Sequence, residues 1–236
     1  MYGLGFTRSA NRSDHLLQTS DTFVRAPLPQ IVNGLAIVHV NPARGAKFLQ
    51  YTAELEKGGS IDPAPMQRFA YVLEGELDIG SSSLRAGDYV YCPAGFDKPL
   101  LAETAARVAV IEKDYRPLPR VTPPGFFKAR EAGAPSLSLG GNPKLQVRSL
   151  LPSSLDFDLA VNIMVYQPGT ALPMVEIHVM EHGLLMLEGG GIFRLGDSWY
   201  PVNAGDFIWM APYCPQWFGA LGDVPTKYLI YKDWNR

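Results

Sequence analysis

Cysteine, histidine and charge are all scarce in this chain. Only two cysteines occur, Cys92 and Cys214, far apart in sequence. A secreted disulfide scaffold would carry more, so the expectation is two free thiols in a reducing compartment. Lys and Arg number 21 against 23 Asp and Glu, with no basic block or stripe, which argues against a nucleic-acid partner. No apolar run approaches the ~18 residues of a membrane-crossing helix. The opening MYGLGFTRSANRSDHLL lacks the apolar core of a signal peptide. These absences predict a soluble, cytoplasmic protein with no membrane partner.

What is abundant is strand signal. Apolar residues make up 47% and charged residues 19% of the 236 positions, enough for a sizeable core. LAIVHV (35–40), AKFLQYTAEL (46–55), RFAYVLEGELDI (68–79), YVYCP (89–93) and ARVAVIEKDY (106–115) are short, β-branched or aromatic, and bounded by turn residues. The stretch from Arg116 to Pro143 is rich in Pro and Gly and reads as a linker or covering arm. Strands resume with LAVNIMVYQ (159–167), VEIHV (175–179), GIFRL (191–195), DFIWM (206–210) and TKYLIYKDW (226–234).

The second set echoes the first. YVLEGELDI (71–79) aligns with LMLEGGGIF (185–193), AGDYVYCPAG (86–95) with AGDFIWMAPY (204–213), and VIEKDY (110–115) with LIYKDW (229–234). Order and spacing are both kept, so one β unit has been duplicated. A unit of this size with many short strands must close into a barrel or double-sheet jelly roll to hide its edges. The expected division is a first barrel over 1–118, a linker over 119–143 and a second barrel over 144–236.

Such units resemble cupins, the double-stranded β-helix or jelly-roll barrels. In the second repeat, Gly169 precedes Glu176-x-His178, His182 follows, and Gly189 closes the motif. A second motif begins at Gly205 and places Gln216 where cupins usually carry a histidine. The resemblance implies four metal ligands, Glu176, His178, His182 and Gln216. The chemistry is coherent in itself. Residues two apart on a strand share a face, and two imidazoles, a carboxylate and an amide oxygen suit Mn²⁺ or Fe²⁺, with Zn²⁺ and Ni²⁺ also accommodated. The bland alternative is a set of surface polar residues. Against it, two of the four histidines fall within five positions, at cupin spacing. Glu181 alternates away from His182 and is expected outside the ligand set. In the first repeat the matching positions are Asp62, Ala64, Arg68 and Lys98, which cannot hold a divalent cation. That barrel is expected to be metal-free, with Arg68 and Lys98 a possible anion pair.

The run from Phe157 to Phe218, with its E-x-H-V-x-E-H-G core, and the ending YLIYKDWNR (228–236) resemble the (S)-ureidoglycine aminohydrolases, earlier labelled glyoxylate-induced proteins. The likeness is strong over the second domain and looser over the first. It implies an Mn²⁺-dependent hydrolase acting on a C–N bond, releasing ammonia from (S)-ureidoglycine to give (S)-ureidoglycolate in purine (allantoin) catabolism. It further implies that Tyr228 and Lys232 bind substrate and move protons beside the ligand Glu176, with a small ureide as partner and a homo-oligomeric state. Phe193 stands where the family carries a tyrosine, which removes a hydroxyl from the expected pocket. Lys113 occupies the place of Lys232 in the aligned VIEKDY. A lysine kept in a metal-free barrel could merely cap a strand with its ammonium in solvent. The alternative from another class is a non-catalytic or oxidative metal cupin that binds a small carboxylate or ureide.

Overall fold

The computed structural model of the protein describes residues 5–235. Among them every regular element other than short 3-10 turns is a strand, as the β-branched and aromatic runs predict. The strands fall into two compact units. One comprises Val24–Ala134 with Ser154–Asp158, and the other the residues up to Phe23, Pro135–Ser153 and those from Leu159 onward.

In the N-terminal unit ten strands form one antiparallel sheet, curled around an apolar core that includes Tyr51, Val72, Leu77, Val90 and Val110. In the C-terminal unit an eight-stranded and a three-stranded sheet share a core of Tyr166, Leu184, Met186, Phe193 and Phe218. The duplication is visible in strand order. Leu49–Ile61, Ala106–Lys113, Gln67–Glu74 and Asp88–Cys92 lie side by side in the first unit; Leu159–Tyr166, Thr226–Asp233, His182–Glu188 and Phe207–Met210 do so in the second. All-β architecture with two jelly-roll barrels is therefore the fold.

The Leu-Glu-Gly repeats end strands at matching places. Gly75 and Gly189 have φ of 82° and 67°, and an added Cβ would lie 2.3 Å from the Ala105 carbonyl oxygen or 2.7 Å from that of Pro225. Only glycine meets both demands. The RFAYVLEGELDI run is accordingly two strands, Gln67–Glu74 and Glu76–Ile79.

The expected boundaries at 1–118, 119–143 and 144–236 are redrawn. Residues 5–23 pack with the C-terminal unit, where His15–Gln18 pairs with Phe207–Met210. The Pro/Gly-rich stretch contributes strand Phe127–Arg130, which pairs with Asp88–Cys92 of the N-terminal unit. The N-terminal segment in one unit and the Pro/Gly-rich stretch in the other thus cover the same edge, which would otherwise expose unpaired backbone groups. The aspartates of the two Ala-Gly-Asp repeats fasten these straps. Asp88 takes a fork from Arg130 (2.6 and 3.2 Å) and Asp206 one from Arg8 (2.8 and 3.1 Å).

Register also corrects the pairing of Lys113 with Lys232. Lys232 lies opposite His182, and the residue opposite Arg68, the counterpart of His182, is Glu112. A one-residue slip puts a side chain on the other face of a strand. Lys113 therefore leaves the face of Val108 and Val110. It is 2% exposed rather than solvated, with its ammonium donating to Asp158 Oδ2 (3.0 Å) and to the Asp158 carbonyl (2.7 Å). Gln67 donates to the other oxygen of Asp158 at 2.6 Å, so the carboxylate is shared within a buried network.

The proposed anion pair also dissolves. Arg68 is buried and donates to Glu112 Oε1 at 2.7 Å and to the Asp62 carbonyl at 2.8 Å. Lys98 is exposed. Arg68 is already neutralised by a carboxylate inside the barrel, which leaves no cationic pair for an anion.

Candidate metal centre

The four residues named as ligands come together at one cavity of about 170 Å³ in the C-terminal unit, which is also lined by Tyr166, Phe193, Tyr228 and Lys232. Strand His182–Glu188 opens with His182 and strand Gln216–Ala220 with Gln216. Tyr228, Ile230 and Lys232 all line the cavity, so the alternation along the last strand delivers the face expected of it.

The VEIHV segment is not a regular strand. Glu176 forms an isolated bridge with Gln216, through N–H···O bonds of 2.8 and 2.9 Å. Beyond it the ladder stops, because the His178 carbonyl is taken by the Tyr213 N–H at 2.6 Å. Tyr213 adopts φ of 64°, a left-handed conformation that a bulky residue holds only when its surroundings fix it. The alternation of side chains survives nonetheless. Glu176 and His178 turn into the cavity, while Val175, Ile177 and Val179 are exposed.

Donor atoms converge in the cavity. His178 Nε2 lies 3.0 Å from Glu176 Oε2. The rings of His178 and His182 sit 5.1 Å apart at 72°. Both ring nitrogens of His182 are buried and neither makes a hydrogen bond of good geometry, the nearby backbone of Glu181 and Tyr231 giving it only weak support. Buried polar atoms in native structures are almost always paired, so this histidine points to a missing partner. Burial, reinforced by the nearby charge of Lys232, lowers the His182 pKa to about 3, which keeps it the neutral imidazole that a cation requires. The residues fit a divalent ion.

Lys232 is half-buried. Burial lowers its pKa, and the charge of Glu176 opposes that effect. Tyr228 donates to or accepts from Tyr166 across 2.9 Å, and burial raises both phenols, so both stay protonated. Phe193 packs against Phe218 (centroids 5.0 Å) and Tyr228 (6.3 Å). Glu181 is outside the cavity lining, as expected, but it is buried and accepts from Trp209 Nε1 at 3.0 Å.

Sequence reasoning missed Tyr166, although it shares strand parity with Met164 in LAVNIMVY and could have been found that way. It also missed a second group. Asp14, His15 and Cys214 each offer a ligand atom, and these atoms lie within 4.8 Å of one another. Both cysteines are free and buried.

These two barrels are cupins. A cupin-domain family model matches residues 162–231, and an EutQ-like cupin model matches residues 42–115. More narrowly, the chain belongs to the (S)-ureidoglycine aminohydrolase family. It is 39% identical over 98% of its length to a probable (S)-ureidoglycine aminohydrolase of Oryza sativa subsp. japonica, of which the match covers 77%. It is likewise 39% identical over 98% to the (S)-ureidoglycine aminohydrolase of Arabidopsis thaliana, covering 80% of that chain. Among solved structures, a putative glyoxylate-induced protein from Pseudomonas aeruginosa superposes with a TM-score of 0.89 at 30% identity, over 100% of this chain and 94% of that one. No helix among the described residues is long and apolar enough to cross a membrane.

Proposed function

We propose that this protein hydrolyses (S)-ureidoglycine to (S)-ureidoglycolate and ammonia, with Mn²⁺ held by Glu176, His178, His182 and Gln216. Family membership supports the reaction. The observation that carries the site is His182, whose two buried ring nitrogens lack a well-formed hydrogen bond and which lines a cavity with the other three donors. A bound Mn²⁺ would supply positive charge for the substrate carboxylate and for charge that develops as the C–N bond breaks.

The chain's own groups then divide the proton work. The reaction exchanges an amino group for a hydroxyl, so the departing amine gains a proton and the entering water loses one. Lys232 is suited to both transfers. Its ammonium form can protonate the leaving nitrogen, and the resulting amine can accept from water. Burial draws its pKa down from 10.5, toward the neutral range where general acid–base groups work best. The Tyr166–Tyr228 pair offers a neutral hydroxyl donor to a ureido carbonyl. Leu172, Leu184 and Ile230 limit water in the cavity. The cavity of about 170 Å³ suits a small polar substrate and leaves no room for a large one.

The test is turnover of freshly generated ureidoglycine by the Mn²⁺-loaded protein. Ammonia release above the spontaneous rate, with predominantly (S)-ureidoglycolate formed and no oxygen consumed, is expected. A racemic product at the uncatalysed rate would reject the assignment, and oxygen uptake would favour an oxidative cupin.

A further inference from the structure

We propose that Asp14, His15 and Cys214 form a second cation site, selective for a thiophilic divalent ion of the zinc class. It is separate from the four ligands of the barrel cavity, and it does not depend on the ureidoglycine reading.

The backbone brings the three residues together. Met210 pairs with His15 across two strands. The Ala211 N–H donates to the Asp14 carbonyl at 2.9 Å, and the Cys214 N–H to the Ala211 carbonyl at 3.1 Å. The turn holding Cys214 is thereby fixed against the start of the strapping strand. His15 and Cys214 are buried. His15 Nδ1 faces Asp14 Oδ1 at 2.9 Å, while its Nε2 is engaged by the Tyr200 hydroxyl at 2.9 Å. That division matches a metal-binding imidazole, in which one nitrogen meets the ion and the other is oriented by an outer hydrogen bond. Gly196 keeps the flank of the group clear, since a Cβ there would stand 2.8 Å from Asp14 Oδ2.

The donor set decides the ion. A thiolate, an imidazole and a carboxylate favour Zn²⁺ or Co²⁺, with a water completing four-coordination, and they discriminate against Mn²⁺, which prefers oxygen. As the ion enters, the thiol proton leaves to solvent. His15 stays neutral and directs its remaining N–H from Nε2 to Tyr200. An occupied site would tie the strap to the turn that leads into Gln216.

The test is a Co²⁺ titration of the full chain, followed by near-ultraviolet absorption. A thiolate-to-cobalt charge-transfer band is expected, retained in a His178→Ala/His182→Ala variant and lost in Cys214→Ser. Asp14→Asn changes a half-exposed side chain, so it tests the site even if Cys214→Ser fails to fold. It should weaken cobalt binding to this site about 10-fold or more. Absence of the band at saturating Co²⁺, or its persistence unchanged in Cys214→Ser and Asp14→Asn, would overturn the proposal.

Discussion

Lys232 stands directly opposite His182 across paired strands, and in the N-terminal unit the same positions hold Glu112 opposite Arg68. Duplication has thus yielded two barrels with different interiors. One places a lysine beside the converging side chains of Glu176, His178, His182 and Gln216. The other fills the same positions with a buried ion pair, in which Arg68 and Glu112 approach to 2.7 Å.

Lys232 and Lys113 consequently have different work, and their methionine variants should separate it. Lys232→Met keeps most of the apolar stem. It should lower turnover about 100-fold or more while metal content and thermal stability are retained. Lys113→Met takes the ammonium away from the buried Asp158 carboxylate and should cost about 3–5 kcal/mol of stability, with the folded fraction keeping its specific activity. Assays of turnover, metal content and unfolding on both variants check this. Equal loss of stability with no loss of specific activity in either would make Lys232 structural.

The Arg68–Glu112 pair gives a second prediction. Arg68→Met alone leaves Glu112 buried and uncompensated, at a cost of about 3–5 kcal/mol. Adding Glu112→Leu should recover much of that loss, because two well-packed apolar side chains replace the pair without a stranded charge. Chemical denaturation of the single and double variants measures it. A double variant no more stable than the single would show that the pair contributes more than mutual neutralisation.

Phe193 lines the cavity within ring contact of Tyr228. Phe193→Tyr restores the hydroxyl that the family likeness led us to expect. It should leave kcat within a few-fold and hold or lower KM. Collapse of activity would mean that this pocket is shaped around a different ligand.

His39 supplies a pH dependence outside the metal centre. Its Nε2 lies 2.9 Å from Thr52 Oγ1, and burial, aided by the charge of Arg107, lowers its pKa from 6.5 to about 3. The unfolded chain therefore binds a proton before the folded one does. The contribution of neutral His39 is fully present above pH 6.5 and is lost as pH falls toward about 3, with a slope of at most ~1.4 kcal/mol per pH unit. His39→Gln should flatten the wild-type dependence of Tm across that window. An unchanged slope would place the acid sensitivity elsewhere.

Much of this was legible in the sequence, for identifiable reasons. The strands of both barrels were readable because strand periodicity is local, and the donor set because Glu176, His178 and His182 fall within seven positions. The straps were not readable. The pairing of His15–Gln18 with Phe207–Met210 is set by long-range docking, and nothing in RSDHLLQ announces it. The Lys113 alignment failed because identity between VIEKDY and LIYKDW outweighs a one-residue shift, and only the hydrogen-bond register reveals which side chain faces inward. The VEIHV segment looked like a strand because its side chains alternate, although its backbone forms a ladder bridge only at Glu176 and the His178 carbonyl is held by a turn.

The measurement that tests the account most directly is the Mn²⁺ content of the wild-type chain and of His182→Ala after saturation and removal of excess metal. The account predicts close to one Mn²⁺ per wild-type chain, and loss of both the ion and the turnover in a His182→Ala variant that remains folded. Retention of Mn²⁺ by that variant, or two tightly held Mn²⁺ ions per wild-type chain, would contradict it.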